Sequence, residues 1–388
     1  MKRPQSLGTQ LKLRTGDESY TAYVPAPLPP VPTLDLVQMY PLLDQANQSL
    51  GRLDGMAAMI PDASLFLYMY IRKEAVLSSQ IEGTQSSLSD LLAYELEEAP
   101  GVPVNDVEEV SNYVAAMNHG LKRLVELPLS MRLLREMHKI LLSRGRGERK
   151  TPGELRTSQN WIGGTRPGNA AFVPPPPERL LECLGDFEKF LHDDRVRLPV
   201  LVKAALAHVQ FESIHPFLDG NGRLGRLLIT LLLCAEGALK NPLLYLSLYF
   251  KTHRKSYYDH LTLVRETGDW EEWIAFFLKG VIETASQATD TAQRITALFK
   301  ANHEKIKGLA KVSASVTRLH EYLQRQPVSD TGRAVKGSRL TLPTVLRAFK
   351  ELEKLGVVRE TTGRERRRLY VYTDYLELLN KGAEPLVD

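Results

Sequence analysis

At 388 residues the chain is longer than one hydrophobic core usually organises, so two domains, or a large core with an appendage, are expected. A hydrophobic content of 43% with 25% charged residues is that of an ordinary soluble globular protein, and a net charge of +4 is too small to imply nucleic acid by itself. Met1-Lys2-Arg3-Pro4 is not followed by an apolar run of signal-peptide length, and the most apolar stretch, Leu227 to Ala235, is too short to span a bilayer. With no membrane partner and with Cys183 and Cys234 reading as buried free thiols, a cytoplasmic location is expected by elimination.

Residues 1 to about 35 are polar and then proline-rich, and Val24-Pro25-Ala26-Pro27-Leu28-Pro29-Pro30-Val31-Pro32 reads as extended polyproline-like chain. Such a stretch serves either as an SH3-type ligand or as an arm packed over a helical body; the packed arm is expected. From Leu34 to about Leu96 the pattern is helical, with Pro41 and Pro61 as starts or breaks. Glu82, just before Gly83, has the look of a helix end, where the dipole opposes a carboxylate and invites a cationic partner.

An acidic loop around Glu97-Glu98-Ala99-Pro100-Gly101 precedes two further helical patterns, the second of which, Met131 to Leu142, carries a structural His138. The charged stretch Ser143 to Lys150 reads as a solvated loop. Glycine pairs between short β-branched or aromatic runs, Asn160-Trp161-Ile162-Gly163-Gly164 and Ala171-Phe172-Val173, predict a small hairpin. Pro199 through Ser213 is helical. His208, Glu212 and His215 fall at i, i+4 and i+7, but the His-Glu-x-x-His pattern of a zinc site is absent, so His208 reads as a packed residue.

The next stretch, His215-Pro216-Phe217-Leu218-Asp219-Gly220-Asn221-Gly222-Arg223-Leu224-Gly225-Arg226, lies between two apolar helical segments and predicts a tight turn feeding a helix N-terminus. Such a terminus offers unpaired N–H groups and partial positive charge to an anion. Gly220, Gly222 and Gly225 let backbone approach phosphate oxygens, and Arg223 and Arg226, three apart, share a helix face. Asp219 suits Mg²⁺, and His215 is the natural proton acceptor near neutral pH. The string Gly220-x-Gly222-x-x-Gly225 is not a dinucleotide fingerprint, because a helix precedes it and Lys240 stands where a ribose-binding acid belongs. No Gly-Lys-Ser/Thr of a Walker A loop is present.

This stretch resembles the signature of the Fic family, His-Pro-Phe-x-Asp/Glu-Gly-Asn-Gly-Arg-x-x-Arg, at every specified position. The resemblance implies a mainly α fold, a Fic-type helical domain with a small β-hairpin flap, and transfer of AMP from ATP to a protein hydroxyl; the alternatives are a DNA-binding regulator whose Fic domain senses nucleotide, and another phosphoryl-type transfer or removal of AMP at the same site. It implies that His215 deprotonates the hydroxyl, that Asp219 holds Mg²⁺, that Asn221 and the loop backbone from Leu218 through Gly222 cradle the phosphates, and that Arg223 and Arg226 bind the outer ones. Ser78-x-x-x-Glu82-Gly83 is similar to the family's inhibitory motif, which implies that Glu82 pairs with Arg226 and occupies the γ-phosphate position. Phe172 and Val173 fall where the family's flap adds a target segment as an extra strand. Tyr257 falls where a family tyrosine lies near the adenine, with packing against the core an equal alternative. A homodimer is allowed by the resemblance and supported by no particular residue.

Leu227 to Leu233 reads as the central core helix, and a long helical pattern runs from Glu271 to about Leu309. Beyond it a helix around Ser313 to Gln326, a loop at Ser329-Asp330-Thr331-Gly332, a helix from about Leu342 to Leu355 and two strand-like runs around Gly363 resemble a winged helix-turn-helix. Thr344, Arg347 and Lys350 would then face outward, with Arg364, Arg366, Arg367 and Arg368 at the wing tip. DNA is one partner this implies; dimerisation or target recruitment is the other. The expected division is 1–100 for the arm and the helical region with the inhibitory motif, 101–300 for the Fic domain and 301–388 for the winged-helix-like domain.

Overall fold

A computed structural model describes residues 7–59, 63–95, 104–193, 195, 197–309, 313–363 and 368–385. Helices dominate it, and they fall where apolar spacing predicts them. Helix α1 (Tyr40–Met59) has Pro41 in its first turn, where the missing N–H costs nothing. It is followed by α2 (Ala63–Ile81) and α3 (Leu88–Tyr94), the latter opened by a reciprocal cap between Ser87 and Asp90. Next come α4 (Val104–Arg123), α5 (Met131–Leu141), α6 (Pro177–His192), α7 (Val200–Ile214), α8 (Asn221–Ala235), α9 (Ser247–Thr252), α10 (Arg254–Thr267) and the long α11 (Trp270–Lys307).

From Leu201 to Ile214 every residue of α7 but Lys203 is buried, and α8 is buried from Arg223 to Leu233. A helix that is apolar on all sides belongs in a core, and these two form the centre that the other helices surround. The Trp273 indole of α11 donates to the Ala205 carbonyl of α7 at 2.9 Å, and the Tyr70 hydroxyl of α2 donates to the Ala288 carbonyl of α11 at 2.7 Å. The N-terminal helices therefore share one core with the rest. The boundary expected at residue 300 falls inside α11, and that at residue 100 lies outside the described residues.

Three segments differ from expectation. The N-terminal region contains a hairpin, β1 (Thr9–Thr15) and β2 (Glu18–Val24), turning at Gly16 with φ +60°. Nearly all of β1 is exposed, so its sequence carries little apolar alternation to read. The proline arm after it is packed on α7, with Gln210 donating to the Ala26 carbonyl at 2.9 Å. The hairpin expected near residues 160–173 is a single bridge, Ile162 to Phe172, with N–H···O distances of 2.8 and 3.1 Å. Gly163 and Gly164, both at positive φ, turn the chain away on one side and Pro174 ends it on the other.

The C-terminal unit runs α12 (Ser313–Arg325), β3 (Val328–Asp330), α13 (Thr331–Ser338), α14 (Leu342–Lys354), β4 (Arg359–Glu360), β5 (Leu369–Val371) and α15 (Thr373–Asn380), with antiparallel sheet order β3-β5-β4. The stretch expected as a loop at residues 329–332 is the end of β3 and the start of α13, whose N–H groups on Gly332 and Arg333 donate to the Asp330 carboxylate. Arg364, Arg366 and Arg367 lie outside the described residues. Asn302 of α11 donates to the Tyr372 hydroxyl at 2.8 Å, which ties this unit to the helical body. Among the described residues no helix is long and apolar enough to cross a membrane.

Candidate active site

The turn between α7 and α8 is set by a residue that local preference would not choose. His215 caps α7 at φ +49°, in the left-handed region that costs a side-chain-bearing residue roughly 1 kcal/mol. Arg156, which is 2% exposed, holds it there: its Nε donates to the His215 carbonyl at 2.8 Å and its Nη2 to the Pro175 carbonyl at 2.5 Å. Inside the turn, Asn221 both accepts from the Phe217 N–H and donates to the Phe217 carbonyl, each at 2.9 Å. His138 closes the turn from behind. Its Nδ1 accepts from the Gly153 N–H at 2.8 Å, so Nε2 carries the proton and donates to the Asp219 carbonyl at 2.9 Å, and its ring stacks on Phe217 at 3.8 Å.

His215 itself is half-buried, with Nδ1 enclosed, which leaves Nε2 as the nitrogen a substrate reaches. Burial pushes its pKa down to about 3, the charges of Arg265 and Arg156 push the same way, and the Glu212 carbonyl opposes them. The imidazole is therefore neutral at pH 7 and free to accept a proton. Asp219 carries a partly exposed carboxylate whose Oδ1 accepts the Gly220 N–H at 2.6 Å. Gly220, at φ +76°, is the cap from which α8 starts.

Over the first turn of α8 lies the end of α2. Glu82 Oε1 is 2.8 Å from Arg226 Nη2; Ser78 adds its hydroxyl to Arg226 Nε at 2.8 Å and its carbonyl to Nη2 at 3.0 Å. A Cβ on Gly222 would stand 2.4 Å from Glu82 Oε1, so the carboxylate rests against the helix terminus where an anion is favoured. Burial pushes the Glu82 carboxyl up, but the charge and hydrogen bond of Arg226 outweigh it and hold it below the ordinary range. Gly83, at φ +97°, lets the chain leave directly after this contact.

Residues 40–122 match the family model described as Fic/DOC family N-terminal, and residues 128–233 match the one described as Fic/DOC family. The segment from residue 40 to residue 233 belongs to the Fic/DOC family. Protein adenylyltransferase Fic of Aedes aegypti is 34% identical to it over 179 residues, 45% of this chain and 33% of that protein. Protein adenylyltransferase fic-1 of Caenorhabditis briggsae is 32% identical over 179 residues, 44% and 32% of the two chains. This Fic chain thus spans about a third of the length of the curated relatives it matches. A Fic family protein from Desulfovibrio desulfuricans shares its fold with a TM-score of 0.57 at 19% identity, over 88% of this chain and 98% of that one. A Fic domain containing signaling protein from Bacteroides thetaiotaomicron does so with a TM-score of 0.52 at 20% identity, over 64% and 97%.

Within this Fic chain most of the residues singled out from the sequence converge on the turn, but several have other partners than expected. His215, Leu218, Asp219, Gly220 and Gly222 line the turn, and Ser78, Glu82 and Gly83 meet Arg226 above it. The Asn221 side chain is 2% exposed and spent on Phe217, so it shapes the turn instead of reaching outward. Arg223 does not share an open face with Arg226: it is 1% exposed and lies 2.6 Å from Glu109 of α4. Gly225 accepts at its carbonyl from His208 Nδ1 at 3.0 Å, and a Cβ there would stand 2.4 Å from Glu212 Oε1.

Tyr257 is a core ring, 1% exposed, stacked on Phe250 at 4.6 Å with its hydroxyl on His208 Nε2 at 2.8 Å, so of the two alternatives packing is what occurs. Both N–H and C=O of Phe172 bond to Ile162, and the Val173 carbonyl accepts from Tyr23 of β2 at 2.9 Å, so neither offers the free edge expected of it. The stretch Ser143 to Lys150 is not merely solvated: Arg146 Nη2 lies 3.3 Å from the Glu82 carbonyl and 3.4 Å from Glu109, and Gly147 packs on Asp219. Sequence reasoning missed Arg156, Glu109 and Arg146, because each is paired far along the chain, and a lone arginine or glutamate carries no local signal.

Proposed function

We propose that this chain is a protein adenylyltransferase that moves AMP from ATP to a Ser, Thr or Tyr hydroxyl of a target protein or of itself. One observation carries the reading: a neutral His215 with an accessible Nε2 stands beside a helix terminus suited to phosphate, and the seat there is taken by a carboxylate on Arg226. The curated relatives bear the name of this activity. In the reaction the target hydroxyl loses its proton to His215 Nε2 and its oxygen bonds to the α-phosphorus of ATP. The bond from that phosphorus to the bridging oxygen breaks, and pyrophosphate leaves with the electron pair.

Asp219 is a partly exposed carboxylate beside the terminus, and one carboxylate with substrate phosphates and water is a donor set Mg²⁺ accepts, so the residue fits the ion. Asp219 would hold Mg²⁺, whose charge offsets that on the α- and β-phosphates. Arg226 would take the outer phosphates once Glu82 leaves it, which makes Glu82 an inhibitor built into the chain. The target would add as a strand along Trp161 to Gly163, whose backbone groups face away from Phe172 in the pleat, and not along Phe172 and Val173.

The element order and sheet order of the C-terminal unit support the winged-helix reading. Its α14 exposes Leu342 and Leu346 beside Arg347 and Lys350, an apolar face that favours a protein partner over DNA. Free thiols at Cys183 and Cys234 accord with the cytoplasm. Purified protein incubated with ATP labelled at the α- or the γ-phosphate tests the chemistry. Label from α alone, abolished by His215→Ala, is expected; label on protein from γ alone would replace this reading with a kinase.

A further inference from the structure

After α15 the chain turns through Lys381 to Glu384, and side chains of the helical body grip its backbone carbonyls one after another. Lys73 Nζ of α2 donates to the Lys381 carbonyl at 2.8 Å. Lys251 of α9 donates to the carbonyls of Gly382, at 3.3 Å, and of Glu384. Gln80 Nε2, in the last turn of α2, donates to the Ala383 carbonyl at 3.0 Å and to the Ser86 carbonyl at 2.9 Å. All three donors are buried, Lys73 and Gln80 to 1% exposure.

A buried ammonium group is costly unless its donors are met. Lys73 is met by the carbonyl at the C-terminal end of α15, where the helix dipole favours a cation, and by the Tyr245 ring 4.6 Å away. Gly382 fixes the register of the segment, since it sits at φ +81° and a Cβ on it would stand 2.9 Å from Leu248 Cδ1. This docking is specific in position: it rests chiefly on the tail's backbone carbonyls, with the Ala383 side chain buried beside them and the Glu384 charge facing Lys73 and Lys251.

Gln80 lies two residues before Glu82. The last helical residues before Glu82, Ser78 to Ile81, are at most 1% exposed and are held on one flank by Arg226, through Ser78, and on the other by the tail, through Gln80. We propose that the segment Lys381 to Glu384 is a latch on the inhibitory helix, through which the C-terminal unit controls how readily Glu82 leaves Arg226. A protein that pulls the C-terminal unit away strips Lys73 and Lys251 of these carbonyls, leaves Gln80 with the Ser86 carbonyl alone, and loosens the last turn of α2. The inference rests on Glu82 being the inhibitor.

Two substitutions in the full chain test it: Gly382→Val displaces the tail, and Lys251→Met removes two of the hydrogen bonds that hold it while changing no residue of α2. Each is expected to raise ATP affinity and self-labelling roughly threefold to tenfold, the shift from losing one or two hydrogen bonds. Each is also expected to speed amide exchange across residues 78–84 and to add nothing when combined with Glu82→Gly. If Glu82→Gly raises labelling while both tail variants keep wild-type labelling and exchange, the latch is overturned. Loss of labelling in both, unrescued by Glu82→Gly, assigns the tail to folding alone and overturns it too. If Glu82→Gly itself changes nothing, the inhibitory reading fails first, and the latch with it.

Discussion

Glu82 Oε1 and Arg226 Nη2 are 2.8 Å apart although the residues are separated by 144 positions, and the arginine side chain is 1% exposed. On the proposed reading, removing the carboxylate would leave the guanidinium able to receive phosphate. Glu82→Gly is expected to tighten ATP binding by on the order of tenfold or more, the worth of one charge-assisted hydrogen bond. Equilibrium titration with ATP checks it, and Glu82→Gln should fall between the two proteins.

Arg156 is expected to act through His215 without touching substrate. Its fork serves the carbonyls of His215 and Pro175 together, which a lysine ammonium cannot do in the same geometry. In a Glu82→Gly background, Arg156→Lys should lower kcat by on the order of tenfold, an ångström-scale misplacement of the base, while KM stays near its starting value. Rates against ATP concentration separate the two; a change confined to KM would contradict the assignment.

Arg146 links the end of α2 to Glu109, through the Glu82 carbonyl and the Glu109 carboxylate. Its guanidinium also sits favourably at a helix C-terminus. Because Arg146 is exposed, Arg146→Ala should fold normally and raise self-labelling about twofold to fivefold, the effect of a weak surface-side contact of under 1 kcal/mol. The gain should vanish when Glu82 is already Gly. A drop in labelling in that background would mean that Arg146 binds the nucleotide.

Glu212 gives a pH dependence of stability. Burial pushes its carboxyl up to about 7, with the Arg226 charge opposing, and its Oε1 has no hydrogen-bond partner among the described residues. Between the ordinary glutamate range and pH 7 the folded chain holds a proton that the unfolded chain has released, so this contribution is full at low pH and is lost as pH rises through 7. Glu212→Gln should therefore flatten the decline in thermal stability between pH 5 and pH 8, by on the order of 2 kcal/mol at the upper end. Parallel pH series of melting curves would show it, and identical slopes would refute it.

The turn and its flanking helices were legible because their signals are local. Glycines, Asp219 and His215 sit within one short stretch, and α7 and α8 are mostly apolar and buried nearly all round. Glu82 was legible only through a motif, since its partner lies across the fold. What escaped was fixed by distant contacts. The fragment Thr331–Ser338 has two glycines and little apolar periodicity, and it becomes α13 because Asp330 caps it and α12 and α14 pack on it. His138 looks like any core histidine until Gly153 and Asp219 are found on its two nitrogens. Arg223 reads as a phosphate ligand until Glu109, from another helix, is found beside it.

Gly222 leaves room for a single occupant. Because a Cβ at that position would stand 2.4 Å from Glu82 Oε1, the proposed inhibitor and the proposed nucleotide would compete for one place. Restraint of this kind is a contest decided by concentration: abundant ATP erodes it, scarce ATP deepens it, and the ceiling rate is untouched. Any side chain at residue 222 would evict both contestants at once, so separating silence from activity requires changes at Glu82 or behind it, never at the seat.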